Sequence, residues 1–179
     1  MRKEILERLK ALFLKNKVLD MEQLLEAIHV TSKRTAFRYL QNLGCYTSYT
    51  HMGKYYTLPS VAQFDDFGLW HYKAIGFSSH GTLIDTLQWV ITTSKAGKTN
   101  SELESLFKIR VQNSLQKLLK PKRIANTKPQ KSILYISSDP AIGRQQVENR
   151  LKTGEKKARP SWIVAEVLSV LAVRVLNSE

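Results

Sequence analysis

Apolar side chains fall at Ile5, Leu6, Leu9, Leu12 and Phe13, a spacing that lines one face of a helix. Lys3, Glu7, Lys10 and Lys15 leave the other side wet. Val18-Leu19 breaks the period before Asp20, a good N-cap with Gln23 three residues on, and Met21, Leu24, Leu25 and Ile28 form the stripe of a short second helix. The turn His29-Val30-Thr31 leads to Ser32, the expected cap of a third helix over Lys33–Leu43. Ala36, Leu40 and Leu43 can face the core there, while Lys33, Arg34, Thr35, Arg38 and Gln41 point outward. His29 and Tyr39 are expected to cap or pack. Gly44 can close the helix. Tyr46–Thr50 and Tyr55–Leu58, rich in β-formers, flank His51–Lys54 as a hairpin.

The same layout returns. Leu83, Ile84, Leu87, Val90 and Ile91 repeat the first stripe residue for residue in spacing, with Thr82 as a cap. Ala96-Gly97-Lys98 is the break, and Thr99 opens a short helix carrying Leu103, Leu106 and Phe107. Leu24 and Val30 match Leu103 and Ile109 at a constant offset of 79. The third helix of this copy reads as one residue shorter, which puts Ala36, Phe37 and Leu40 on Ser114, Leu115 and Leu118. Arg110, Gln112, Asn113, Gln116 and Lys117 then line its outward side, and Pro121 ends it. Arg123–Asn126 and Ser132–Ile136 predict a second hairpin around Lys128-Pro129-Gln130-Lys131.

Residues 61–79 lack helical period and are dense in aromatics, wrong for a flexible linker and right for a packed, strand-like connector. Asp139-Pro140 signals the start of a helix over Ala141–Leu151. Lys152–Arg159 reads as the most flexible stretch. Trp162–Leu176 follows as a helix apolar on nearly every face, too short and too charged at Glu166 and Arg174 to span a bilayer. A homodimer through Trp162–Leu176 is expected, with packing of the same segment onto the first helices as the alternative. The organisation is thus unit one over 1–60, connector over 61–79, unit two over 80–138 and a helical tail over 139–179. The fold class is mainly α with small β-hairpins (α+β).

Charge sharpens this picture. The formal net charge is +13 with 42% hydrophobic residues, so the chain has enough apolar content for small cores and a bias towards polyanions. Unit one carries ten basic against five acidic residues, the connector with unit two eleven against five, and the tail seven against five. Both repeats therefore hold the excess. Cys45 alone excludes an internal disulfide and reads as a small, semi-buried thiol. The N-terminus lacks an apolar stretch of signal-peptide type, which points to a cytoplasmic protein. Asp65, Asp66, His71 and His80 lack metal-ligand spacing. Without a Gly-rich phosphate loop, Cys/His metal spacing or nucleophile elbow, an enzyme and a bound cofactor are not expected.

The run Ser32-x-Arg34-Thr35-x-x-Arg38-x-Leu40-x-x-Leu43 resembles the recognition helix of winged helix-turn-helix transcriptional regulators, particularly the DeoR-like group. That resemblance covers about sixty residues and implies two winged helix-turn-helix units in tandem plus C-terminal helices. It implies double-stranded DNA as the partner, with Lys33, Arg34, Thr35, Arg38, Gln41 and wing residue Lys54 as contacts in the first unit. In the second they are Arg110, Gln112, Asn113, Gln116, Lys117, Lys128 and Lys131. Arg and Lys suit guanine edges, and Gln and Asn suit adenine; His51 and the Lys-Pro-x-Lys tip suit phosphate. A sequence-specific transcriptional regulator is the leading expectation. A DNA-binding accessory subunit of a mobile-element or defence system and a protein-interaction scaffold that leaves DNA alone stay open. No small effector can be named.

Overall fold

The computed structural model describes residues 2–129 and 131–157; the predicted segment Trp162–Leu176 and its dimer contact lie outside the described residues. The chain is a mixed α/β protein with small antiparallel sheets. Helix α1 (Arg2–Asn16) leads into strand β1 (Leu19–Asp20), α2 (Met21–Ile28) and α3 (Lys33–Asn42). Strands β2 (Tyr46–Thr47) and β3 (Tyr55–Thr57) follow, and the three strands pair in the order β1-β3-β2. Hairpin β4 (Leu69–Tyr72) and β5 (Ile75–Ser78) comes next. The first order of elements then repeats as α4 (Leu83–Thr93), β6 (Lys98–Thr99), α5 (Asn100–Phe107), α6 (Gln112–Leu119), β7 (Ile124–Thr127) and β8 (Leu134–Ser137), with strand order β6-β8-β7. Helix α7 (Pro140–Lys157) packs on β8.

Local chemistry places the boundaries. Both second helices open with a complete capping box, Asp20 with Gln23 and Thr99 with Glu102, which satisfies two otherwise free amides at each N-terminus. Helix α3 ends in a Schellman closure: Gly44 sits at φ 64° and Cys45 N–H reaches the Leu40 carbonyl at 3.0 Å. Ser32 holds the N-cap position of α3 without a side-chain capping bond. Each unit then closes over its own core. The first buries Leu9, Phe13, Leu19, Leu24, Ile28, Ala36, Tyr39 and Leu40; the second buries Leu87, Ile91, Leu103, Phe107, Val111, Leu115 and Leu118. A buried Leu, Ile, Val or Phe contributes about 1.5–3 kcal/mol, so the six of these in the first list and seven in the second can hold units of this size.

Four sequence expectations need correction. The breaks at Val18-Leu19 and Ala96-Gly97-Lys98 lead into two-residue strands that complete each sheet, too short to show any period. The slip placed at the start of the second third helix belongs at its end. Helices α3 and α6 start 79 residues apart, and buried Ala36 and Tyr39 match buried Leu115 and Leu118, whereas the expected slip put Ala36 on Ser114 and Phe37 on Leu115. The lost residue falls in the last turn, where Arg123 N–H closes on the Leu118 carbonyl. The strand predicted over Tyr46–Thr50 stops at Thr47, because Tyr49 turns away to pair with β5. Helix α7 runs on through Lys157, into the stretch expected to be flexible; Lys152–Lys157 contains one Gly and no Pro to stop it.

The connector is built, not loose. Its hairpin pairs Leu69 with Ser78 and Trp70 with Phe77, whose rings lie 5.3 Å apart. Leu69 is buried within the second core, while Phe64 packs edge-on against Tyr46 of the first unit at 4.9 Å.

Candidate nucleic-acid interface

Every side chain proposed for contact sits where the fold leaves it open. Helix α3 turns Ala36, Tyr39 and Leu40 inward, which puts Lys33, Arg34, Arg38 and Gln41 on the exposed face, with Thr35 half-buried at its edge. Helix α6 does the same with Leu115 and Leu118 buried and Gln112, Asn113, Gln116 and Lys117 exposed. Arg110 is exposed in the turn before α6, Lys54 in the first hairpin loop, and Lys128 and Lys131 in the second.

Helix–turn geometry sets how these faces are offered. The turn between α2 and α3 spans residues 29–32, and that between α5 and α6 spans 108–111, so the two are equal in length. Each begins with a left-handed residue, His29 at φ 53° and Lys108 at φ 56°. His29 is exposed and caps α2, and Tyr39 is buried, as their positions in the sequence suggested.

The charges of the candidate cations are left unneutralised by the fold. Among the described residues, Lys33, Arg34, Arg38, Lys54, Arg110, Lys117, Lys128 and Lys131 make no ion pair and no side-chain hydrogen bond. Some basic groups elsewhere are engaged: Arg123 bonds Asp85 and Gln88 at 2.8 and 2.6 Å, and Arg150 grips Glu102 through two bonds of 2.9 Å. Arg123 and the Thr82 hydroxyl hold the Asp85 carboxyl below its ordinary range, the hydroxyl more strongly. Asp85 and Glu102 are thus committed to cations outside α3 and α6.

A sequence signal explains this and reveals residues that were missed. No Asp or Glu occurs from Ala27 to Phe64, a stretch with four cations, or from Ser105 to Ser138, a stretch with eight. Each acid-free stretch covers the turn, third helix and hairpin of its unit. Lys108, Lys120 and Lys122 lie in the second stretch, are exposed, and belong with the candidate face.

The first hairpin loop is stiff and carries an apolar tip. His51, Met52 and Gly53 all have positive φ, held by Ser48 Oγ donating to the Thr50 carbonyl and by His51 stacked edge-on to Tyr55. Met52 is fully exposed.

Other candidate chemistry resolves into structure. Asp65 accepts the amides of Phe67 and Leu69 at 2.9 Å, and His80 stacks on Trp89 at 3.9 Å. No cluster of His, Cys, Asp and Glu suited to a metal ion occurs among the described residues. Burial pushes the Cys45 thiol up to about 12, the opposite of a reactive cysteine. No described helix is long and apolar enough to cross a membrane.

Comparison of the chain with protein-family models, curated proteins and solved structures finds no match.

Proposed function

We propose that this chain binds double-stranded DNA through two winged helix-turn-helix units in tandem, as a sequence-specific transcriptional regulator. The repeated order of helix, strand, two helices and hairpin, with the central strand contributed last, is the arrangement a winged helix requires. In such a unit the third helix enters the major groove and the hairpin tip meets the backbone. The observation that carries the reading is the pair of acid-free stretches whose exposed cations have no partner among the described residues. A solvated surface has no need to exclude acids so completely; a phosphate-facing surface does, since each anion would repel the backbone.

Roles divide by chemistry. Gln41, Gln112, Asn113 and Gln116 offer the donors and acceptors that read base edges, and Arg34 and Arg38 combine such readout with neutralisation of the adjacent phosphates. Lys33, Lys54, Arg110, Lys117, Lys128 and Lys131 supply phosphate contact, joined by Lys108, Lys120 and Lys122. Thr35 suits a sugar-phosphate oxygen. The second unit therefore contributes more charge and the first more arginine readout.

Selection of bound sequences from a random duplex pool tests this function. Enrichment of one motif supports a regulator, and a palindromic motif adds a dimer. Recovery of duplex without enrichment rejects sequence-specific regulation, and failure to retain duplex rejects DNA binding.

A further inference from the structure

One side chain reaches from the first unit into the core of the second. Tyr49 follows β2 of the first unit, where its N–H donates to the Gly76 carbonyl at 2.9 Å and Gly76 N–H donates to Thr50 Oγ1 at 3.0 Å. The first hairpin therefore runs on beside β5. The Tyr49 ring then leaves its own unit. It packs edge-on against Phe107 at 5.7 Å and His71 at 6.2 Å and joins the apolar cluster of the second unit. A Cβ at Gly76 would fall inside that ring, so glycine is what lets it through.

The phenol finishes the joint. Tyr49 Oη donates to the Phe107 carbonyl at 3.1 Å and lies 2.8 Å from His71 Nε2. Since the phenol has one hydrogen, His71 carries its proton on Nε2 and donates it to Tyr49; this tautomer is assigned from the network. Burial, with the Asp65 carboxylate adding to it, pushes the phenol's pKa up and keeps it a donor.

The carbonyl it reaches is a particular one. Phe107 is the last residue of α5, at the head of the turn into α6. In the first unit that turn closes on itself, with His29 N–H to the Glu26 carbonyl and Val30 N–H to the Leu25 carbonyl. Among the described residues the second turn lacks this closure, and Tyr49 supplies a bond to its terminal carbonyl from outside, with the His71 Nε2 proton shared towards the same carbonyl at 3.4 Å.

We infer that Tyr49 is a positioning residue that locks the first unit onto the turn preceding α6, holding α3 and α6 in one relative orientation. For its ligand this rests on the duplex-binding proposal: the DNA taken is one whose two contact stretches lie at a single spacing and helical phase. Units in one chain move relative to each other unless their interface is large or specifically tied. Here the tie is a buried aromatic ring with a hydrogen-bonded end. A fixed joint also makes binding by the second unit intramolecular once the first is seated, which raises affinity without new contacts.

Nitroxide labels at Asn42→Cys on α3 and Gln116→Cys on α6, both exposed, in a full-length Cys45→Ser chain, read the joint by pulsed electron resonance. One narrow distance is expected in this parent and a severalfold broader distribution after Tyr49→Phe, with the helical circular-dichroism signal unchanged. A parent distribution that is already broad overturns the inference, whatever the variant does. So does a folded Tyr49→Phe chain as narrow as the parent. The distances need no DNA: absence of duplex binding by the unlabelled natural chain, with a narrow parent distribution, rejects the functional proposal alone, whereas a broad parent distribution with duplex binding by the unlabelled chain rejects the joint alone.

Discussion

Replacing Arg34 and Arg38 together by Gln separates a DNA-facing charge from a structural one. Both side chains are exposed on α3, and among the described residues neither pairs with anything. Their removal leaves no buried group unsatisfied, so stability should stay within about 0.5 kcal/mol per site, as for surface changes in general. Duplex binding should respond strongly. Each lost phosphate-neutralising cation removes about 0.9 from the slope of log affinity against log salt, so the double variant loses about 1.8. Between about 50 and 200 mM salt, the affinity of the variant should therefore fall about twelvefold less than that of the parent. Fluorescence anisotropy on a labelled random duplex measures both slopes, and urea unfolding checks the fold. Arg123→Gln is the contrast, since it breaks bonds to Asp85 and Gln88 and should lower stability while changing the slope less. An unchanged slope in a folded Arg34→Gln/Arg38→Gln chain would refute the assignment of α3 as a DNA-contacting helix.

Gln146→Leu should destabilise the second unit without touching DNA affinity at low salt. Its buried amide accepts from Ser137 N–H at 2.8 Å and donates to the Ile91 and Ser94 carbonyls, so an orphaned amide alone costs about 1–3 kcal/mol, read as a lower urea midpoint. His71 makes stability fall in acid. Burial is the main cause that lowers its pKa in the fold, so between that value and the ordinary 6.5 the unfolded chain binds more protons. Its contribution is complete above 6.5 and is lost as pH falls through the folded value; unfolding of His71→Gln should lack that component, and an identical pH profile in the variant would contradict it. Cys45, with its thiol near 12, carries roughly a thousandfold less thiolate at about pH 8 than an ordinary cysteine. Iodoacetamide should therefore label it slowly in the native chain and quickly in urea; equal rates would show that the site is open.

Much of this fold is legible along the chain because its signals are local. Asp20 with Gln23 and Gly44 after Leu43 announce helix ends through side-chain chemistry within one turn, and both end where expected. The apolar stripes on α1 and α4 are long enough to show their period. What stayed hidden is non-local. Strands of two residues have no period, and their pairing with β3 and β8 exists only after the sheet closes. The register of α6 was misjudged because Leu115, Leu118 and Leu119 admit two inward faces, and only burial chooses between them. Tyr49 looked like one more aromatic in a polar hairpin, yet its partners lie 22 and 58 residues away. For the candidate site, the exposed faces of α3 and α6 follow from the stripe. Lys108, Lys120 and Lys122 lie off the helical faces that periodicity marks, and the absence of acids around them is the signal that places them with the site.

The proposed hold on duplex DNA rests on charges that the fold leaves unpaired. Its most direct test is the affinity of the full chain for a random-sequence duplex, measured by anisotropy across a salt series. Tight binding is expected at low salt, with a straight, steep decline of log affinity with log salt that corresponds to several phosphate contacts. No binding at low salt, or an affinity indifferent to salt, would contradict it.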